Sequence, residues 1–194
     1  MRRAGFLIIL ILMSIIGFFD CSRPSVPFGL NGWTGRLIGG EVIQFSAVEK
    51  PALVLNFYSP TCQPCLEELP ALEELYREVT KRGFAMYIAV EGNPESHGLP
   101  SGATDEETFR IIEERLIQDI KKYNITIPLI IIDRQFSVTG EKGLITGTPE
   151  TLFLKTKPIT LRFNFIGPVA SVKNIKDLKN DNKFQFILSR LEEL

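Results

Sequence analysis

The stretch NFYSPTCQPCLEELPALEELY, residues 56–76, passes from a strand pattern to a helix pattern through two cysteines. Upstream, Ala52 to Tyr58 (ALVLNFY) is apolar except at Asn56, which suits a strand buried on both faces. Downstream, Leu66, Leu69, Leu72, Leu75, Tyr76 and Val79 recur at helical spacing, and Pro70 is expected to kink the helix. Cys62 therefore falls at a helix N-terminus. Unpaired backbone N–H groups and the positive end of the helix dipole favour a thiolate there. Cys65 follows nearly one turn later, so its sulfur can reach back to Cys62 and close a small disulfide. Pro64 fits the first turn, where no N–H is needed. Attack on an external disulfide would pass through a mixed disulfide at Cys62 that Cys65 resolves. Two other uses of the pair are half a zinc site and a passive disulfide. Zinc wants four ligands, and the chain offers no second cysteine pair and a single histidine, His97.

Working outward, Gly39-Gly40 separates Leu37-Ile38 from Val42-Ile43, which reads as an N-terminal hairpin. Trp33 is expected to pack with it. Phe84 to Val90 is a second buried strand, and 91–103 is a Gly/Pro-rich loop holding His97. Thr104 and Glu107 form a capping box for a helix whose inner face carries Phe109, Ile112, Leu116, Ile120 and Tyr123. Leu129 to Ile132 is a third strand, and 134–147 is ambiguous. Leu152–Leu154 and the alternating Ile159, Leu161, Phe163 and Phe165 form a hairpin turning near Lys157-Pro158. A last helix presents Phe184, Ile187, Leu188 and Leu191. The order β-α-β-α-β, then β-β-α, predicts an α/β domain. Its central mixed sheet would have a parallel core, an antiparallel edge and helices on both faces.

Composition narrows the function. The 194 residues are 44% apolar with 22 basic and 23 acidic side chains, a net charge of −1. That apolar content argues against disorder, and the absence of a basic surplus argues against nucleic-acid binding. Three cysteines are too few for a disulfide scaffold. One of them, Cys21, stands apart. It follows Arg2, Arg3 and a 16-residue apolar-to-small run from Ala4 to Phe19, which as a helix would measure about 24 Å, short of a bilayer core. This is the pattern of an export signal. The division expected is a signal or anchor over 1–20, a Pro/Gly/Ser-rich tether over 21–32 and one domain over 33–194. The leader resembles that of a bacterial lipoprotein with Cys21 as the lipidated residue, although Phe18, Phe19 and Asp20 replace the usual small residues. An uncleaved short anchor is the alternative. Both put the domain on the periplasmic side of a membrane.

NFYSPTCQPCLEELPALEELY resembles the active-site segment of membrane-tethered, thioredoxin-like thiol–disulfide oxidoreductases of the TlpA/ResA type. IPLIIIDRQF and GTPETLFL, within Tyr123 to Leu154, match the later half of that fold. The likeness covers roughly 28–191. It implies a thioredoxin-like fold with Cys62 as nucleophile and Cys65 as resolving thiol. Glu68 would be the nearby acid that moves protons, and Pro149 a cis proline exposing the backbone of Thr148 to a substrate peptide. It implies no metal and no cofactor beyond the Cys62–Cys65 disulfide. The partners would be protein thiols and disulfides, such as cytochrome c apoproteins, and a membrane electron donor or acceptor. Asn56 stands where thioredoxins carry a buried Asp, which throws weight onto Glu68. A solvated place beside Glu67, Glu73 and Glu74 is the plainer fate for that residue.

Departures from the family pattern are informative. Thr61 replaces the usual Trp before the first cysteine, and the 91–103 loop is long enough to lie near the site. A peroxide-reactive cysteine would want Pro seven residues upstream of it, where Cys62 has Leu55, although Ser59 fits the pattern three residues before. The uncharged Gln63-Pro64 pair favours a reductase of protein disulfides over an oxidant or isomerase. A non-enzymatic binding or copper-delivery module using His97 is the remaining alternative.

Overall fold

The computed structural model describes residues 32–132 and 145–194. The expected segments 1–20 and 21–32, with Cys21, lie outside the described residues apart from Gly32. Ten regular elements follow in order: β1 (Thr34–Leu37), β2 (Val42–Gln44), β3 (Ala52–Tyr58), α1 (Gln63–Lys81), β4 (Ala85–Glu91), α2 (Asp105–Tyr123), β5 (Leu129–Ile132), β6 (Glu150–Thr156), β7 (Ile159–Ile166) and α3 (Asn182–Arg190). Short 3-10 turns punctuate them, including Phe45–Ala47, Glu95–His97 and Ile175–Asn180. No helix among the described residues is long and apolar enough to cross a membrane.

The strands form one mixed sheet in the order β2-β1-β5-β4-β3-β6-β7. β3, β4 and β5 are parallel; β6 and β7 add the antiparallel edge at one side, and the β1–β2 hairpin adds one at the other. The hairpin turns on Gly39 and Gly40, at φ +98° and +94°, backbone that side chains with a Cβ disfavour. Every residue of β3 is buried, as expected of a central strand. Its side chains alternate: Val54 and Tyr58 join one core, Leu53, Leu55 and Phe57 the other.

The sequence predicts helices on both faces; among the described residues the three helices share one, and most of the ambiguous stretch 134–147 lies outside the described residues. Inner-face residues of α1 (Leu69, Leu72, Leu75, Val79), α2 (Phe109, Ile112, Leu116) and α3 (Phe184, Ile187) all belong to the same core, so the three pack on one face. Chirality explains it. β3→β4 and β4→β5 step the same way across the sheet, and two right-handed crossovers in one direction put both helices on one side. Among the described residues the other face is covered by Trp33, Phe45 and Ile145 instead.

Candidate active site

β3 ends at Tyr58 and α1 begins at Gln63, leaving a tight turn that delivers the cysteines. Its closure is local: the Cys62 amide donates to the Ser59 carbonyl at 3.0 Å. Cys62 is the N-cap of α1, and its Sγ accepts from the Cys65 amide at 3.2 Å. A cap this close to free helix N–H groups stabilises negative charge on the sulfur. The two cysteines are joined as a disulfide with Cα atoms 5.2 Å apart. They differ in access: Cys62 is partly exposed and Cys65 fully buried, so an incoming molecule meets Cys62 first. α1 runs on through Pro70 without a break.

Glu68 lies one turn beyond Cys65 on the same buried face, 4% exposed. The Val169 amide donates to its Oε2 at 2.8 Å and the Asn56 Nδ2 to its Oε1 at 3.1 Å. Burial pushes its carboxyl up to about 7, against the lowering pull of those two donors. This is a group that can both take and return a proton near neutrality. The solvated fate belongs instead to Glu67, which pairs with Lys173 at 2.8 Å. Asn56 donates to Thr151 Oγ1 as well, at 3.0 Å, tying Glu68 to β3 and β6.

Across the sheet, β3 pairs with β6 through Phe57↔Glu150. Continued by two residues, that antiparallel register sets Thr148-Pro149 opposite Tyr58 and Ser59, at the entrance to the cysteine turn. The Thr148–Pro149 bond is cis, as is Lys157–Pro158 in the β6–β7 turn. Thr148 is half-buried, and no protein group among the described residues takes up its backbone amide or carbonyl. Among the described residues that leaves a short unpaired backbone edge at the head of β6, lining the same hollow as Ser59.

Sequence reasoning passed over two features. The first is Glu150, buried completely, which accepts from the Thr146 amide and hydroxyl at 2.8 Å each and from Asn164 Nδ2 at 2.7 Å. It holds the segment leading into Thr148-Pro149. The second is the loop from Gly167 to Val172. Gly167 donates to the Pro149 carbonyl at 2.8 Å, Val169 to Glu68, and Ser171 and Val172 to Asp181 Oδ2. The loop thus joins both halves of the site. Its donors are backbone amides, which carry no residue-type signature; Asp181 as the N-cap of α3 was the one legible mark.

His97 sits at the rim. Its Nε2 donates to the Glu91 carbonyl at 2.7 Å, and Arg115 donates to its own carbonyl at 2.7 Å. The 91–103 loop does approach the site, since His97 and Thr148 line the same hollow.

Known proteins resemble this chain. The AhpC/TSA family model matches residues 28–154, well over half the chain. Thiol-disulfide oxidoreductase ResA of Geobacillus kaustophilus is 28% identical over 150 residues, 73% of this chain and 84% of that one. The protein of the same name from Halalkalibacterium halodurans is 29% identical over 134 residues, 69% of this chain and 59% of that one. Among solved structures, the bacterioferritin comigratory protein of Xanthomonas campestris, described for alkyl peroxide reduction, superposes with a TM-score of 0.50. It is 16% identical and covers 87% of this chain and 98% of that one, a likeness of fold alone. The chain belongs to the AhpC/TSA family, and its curated relatives include thiol-disulfide oxidoreductases named ResA.

Proposed function

We propose that the protein reduces disulfides of other proteins on the periplasmic side of a bacterial membrane, tethered through its N-terminal segment at Cys21 or by an uncleaved anchor. The observation carrying the mechanism is Glu68, a buried carboxyl poised near neutrality one helical turn from the buried Cys65. In the dithiol form, the Cys62 thiolate at the helix N-terminus attacks a substrate disulfide. A Cys62–substrate disulfide forms and the first substrate thiolate leaves, taking a proton from water. Cys65 then gives its proton to the Glu68 carboxylate and attacks Cys62 sulfur. The second substrate thiolate leaves, and the Cys62–Cys65 disulfide closes. Two electrons have passed from the dithiol to the substrate, and a donor dithiol on the membrane side must restore them. Thr148-Pro149 offers its open backbone to an extended substrate segment in short β fashion.

Supporting the reducing direction is the uncharged Gln63-Pro64 pair, which places no cation between the sulfurs to stabilise the thiolate as a strong oxidant needs. The test is the reduction potential of the Cys62–Cys65 couple. Values from about −270 to about −200 mV, the range of thioredoxin and glutaredoxins, fit a reductase. A value near about −120 mV, like that of a strong periplasmic oxidant, overturns the direction and leaves the exchange chemistry standing.

A further inference from the structure

The exchange steps leave unused a hollow of about 210 Å³ beside Thr148 that reaches under the 91–103 loop. Tyr58, Ser59, Glu91, Ser96, His97 and Thr148 line it. Ser59 and Thr148 flank it on the side of the cysteine turn, the first through its hydrogen bond to Cys62 and the second as the open substrate edge. Glu91, the last residue of β4, is half-buried there. One of its carboxylate oxygens accepts from Ser96 Oγ at 3.0 Å, and no ion pair among the described residues includes it. The neighbouring cation, Arg115, is directed at the His97 carbonyl instead.

His97 adds to the same polarity. A carbonyl has no proton to give, so the hydrogen between His97 and Glu91 O belongs to Nε2. Burial lowers the pKa of the ring, which favours the neutral form with Nδ1 as an acceptor. Burial likewise raises the Glu91 carboxyl, with only Ser96 pulling it back, so a cation at this place would relieve a real electrostatic cost. Among the described residues the hollow therefore offers a carboxylate without an ion-pair partner, and hydroxyls, next to Thr148 at the substrate edge.

We propose that this hollow is a specificity subsite for a lysine or arginine flanking the disulfide cysteine of the substrate, with Glu91 as its ion-pair partner. The assignment rests on the reading of Cys62 as nucleophile and Thr148-Pro149 as substrate edge. It deepens that reading by naming a substrate class: protein disulfides in basic sequence.

The experiment compares two peptide disulfides that differ at one residue beside the cysteine, Lys in one and Ala in the other. The reduced full-length protein and its Glu91→Gln variant reduce each, and kcat/KM ratios are divided by the ratio for dithiothreitol, removing intrinsic differences in reactivity. The wild type is expected to prefer the Lys peptide by about tenfold, and the variant by about twofold or less. For the wild type itself, raising salt from about 0.02 M to about 0.5 M is expected to shrink the preference severalfold, a readout that needs no variant. Exchange with equal Lys and Ala rates in the wild type, or a preference that Glu91→Gln leaves intact, overturns the subsite alone. Failure to reduce either peptide, or bis(2-hydroxyethyl) disulfide, overturns the exchange reading and the subsite with it.

Discussion

The two faces of α1 carry similar residues to opposite ends. Toward the sheet lie Cys65, Glu68, Leu69, Leu72, Leu75 and Val79, all buried. Toward solvent lie Gln63, Glu67, Glu74 and Arg77, which pair among themselves and with Lys173. Glu67 and Glu68 are neighbours in sequence. A hydrogen bond from Lys173 holds Glu67 below the usual carboxylate range, whereas burial lifts Glu68 to about 7. The lesson is that the helix supplies the angle and the sheet supplies the chemistry. A rotation of about 100° per residue moves a carboxyl from water into the core.

The severest break to the inner face is Cys62→Ser, expected to abolish exchange, while Cys65→Ser should accumulate the mixed disulfide at Cys62. Mass spectrometry of trapped adducts distinguishes them. Equal trapping by both variants would put the nucleophile elsewhere. Next is Leu72→Ala, fully buried on this face, expected to cost about 2–5 kcal/mol in denaturant unfolding. A cost under about 1 kcal/mol would mean that α1 is not packed as described.

Glu68→Gln tests the face by pH. Resolution of the mixed disulfide in the wild type should rise through pH 7 as Glu68 ionises, and the variant should lose that inflection and run about 100-fold slower at the plateau. Stability gives an independent reading. In the folded protein this carboxyl holds its proton up to about pH 7, whereas in the unfolded chain it ionises near 4.5. The folded state thus binds more protons between those values, and stability falls as pH rises from 4.5 to 7. At pH 8 Glu68→Gln should therefore gain on the wild type, by at most about 3 kcal/mol, relative to their difference at pH 4. An unchanged difference across that range would show Glu68 to be solvated. The smallest effect is expected on the outer face: Glu67→Gln should leave the denaturation midpoint and the pH profile of resolution essentially as they were.

Much of this was legible before the structure. The hairpin at Gly39-Gly40, the buried β3, the Thr104 cap and the β6–β7 turn rest on local rules, and each is found where expected, although β1 begins at Thr34, three residues before Leu37. The capping bond from the Glu107 amide to Thr104 Oγ1 is there at 3.2 Å. Side-of-sheet was not legible, because alternation of strands and helices says nothing of the direction in which consecutive strands step. Glu150 passed as one more charged residue, since its burial depends on Thr146 and Asn164 arriving from separate segments.

By itself the sequence determined the elements, the spacing of Cys62 and Cys65 and the place of Cys62 at a helix start. Those follow from side-chain period, proline and dipole within a few residues of one another. The tertiary structure alone decided which acid on α1 became buried and which amide held it. It also set Glu91 at a hollow beside Thr148 with no ion-pair partner among the described residues. Burial and proximity are properties of distant segments meeting, and a carboxyl's proton affinity is set by what surrounds it rather than by what precedes it.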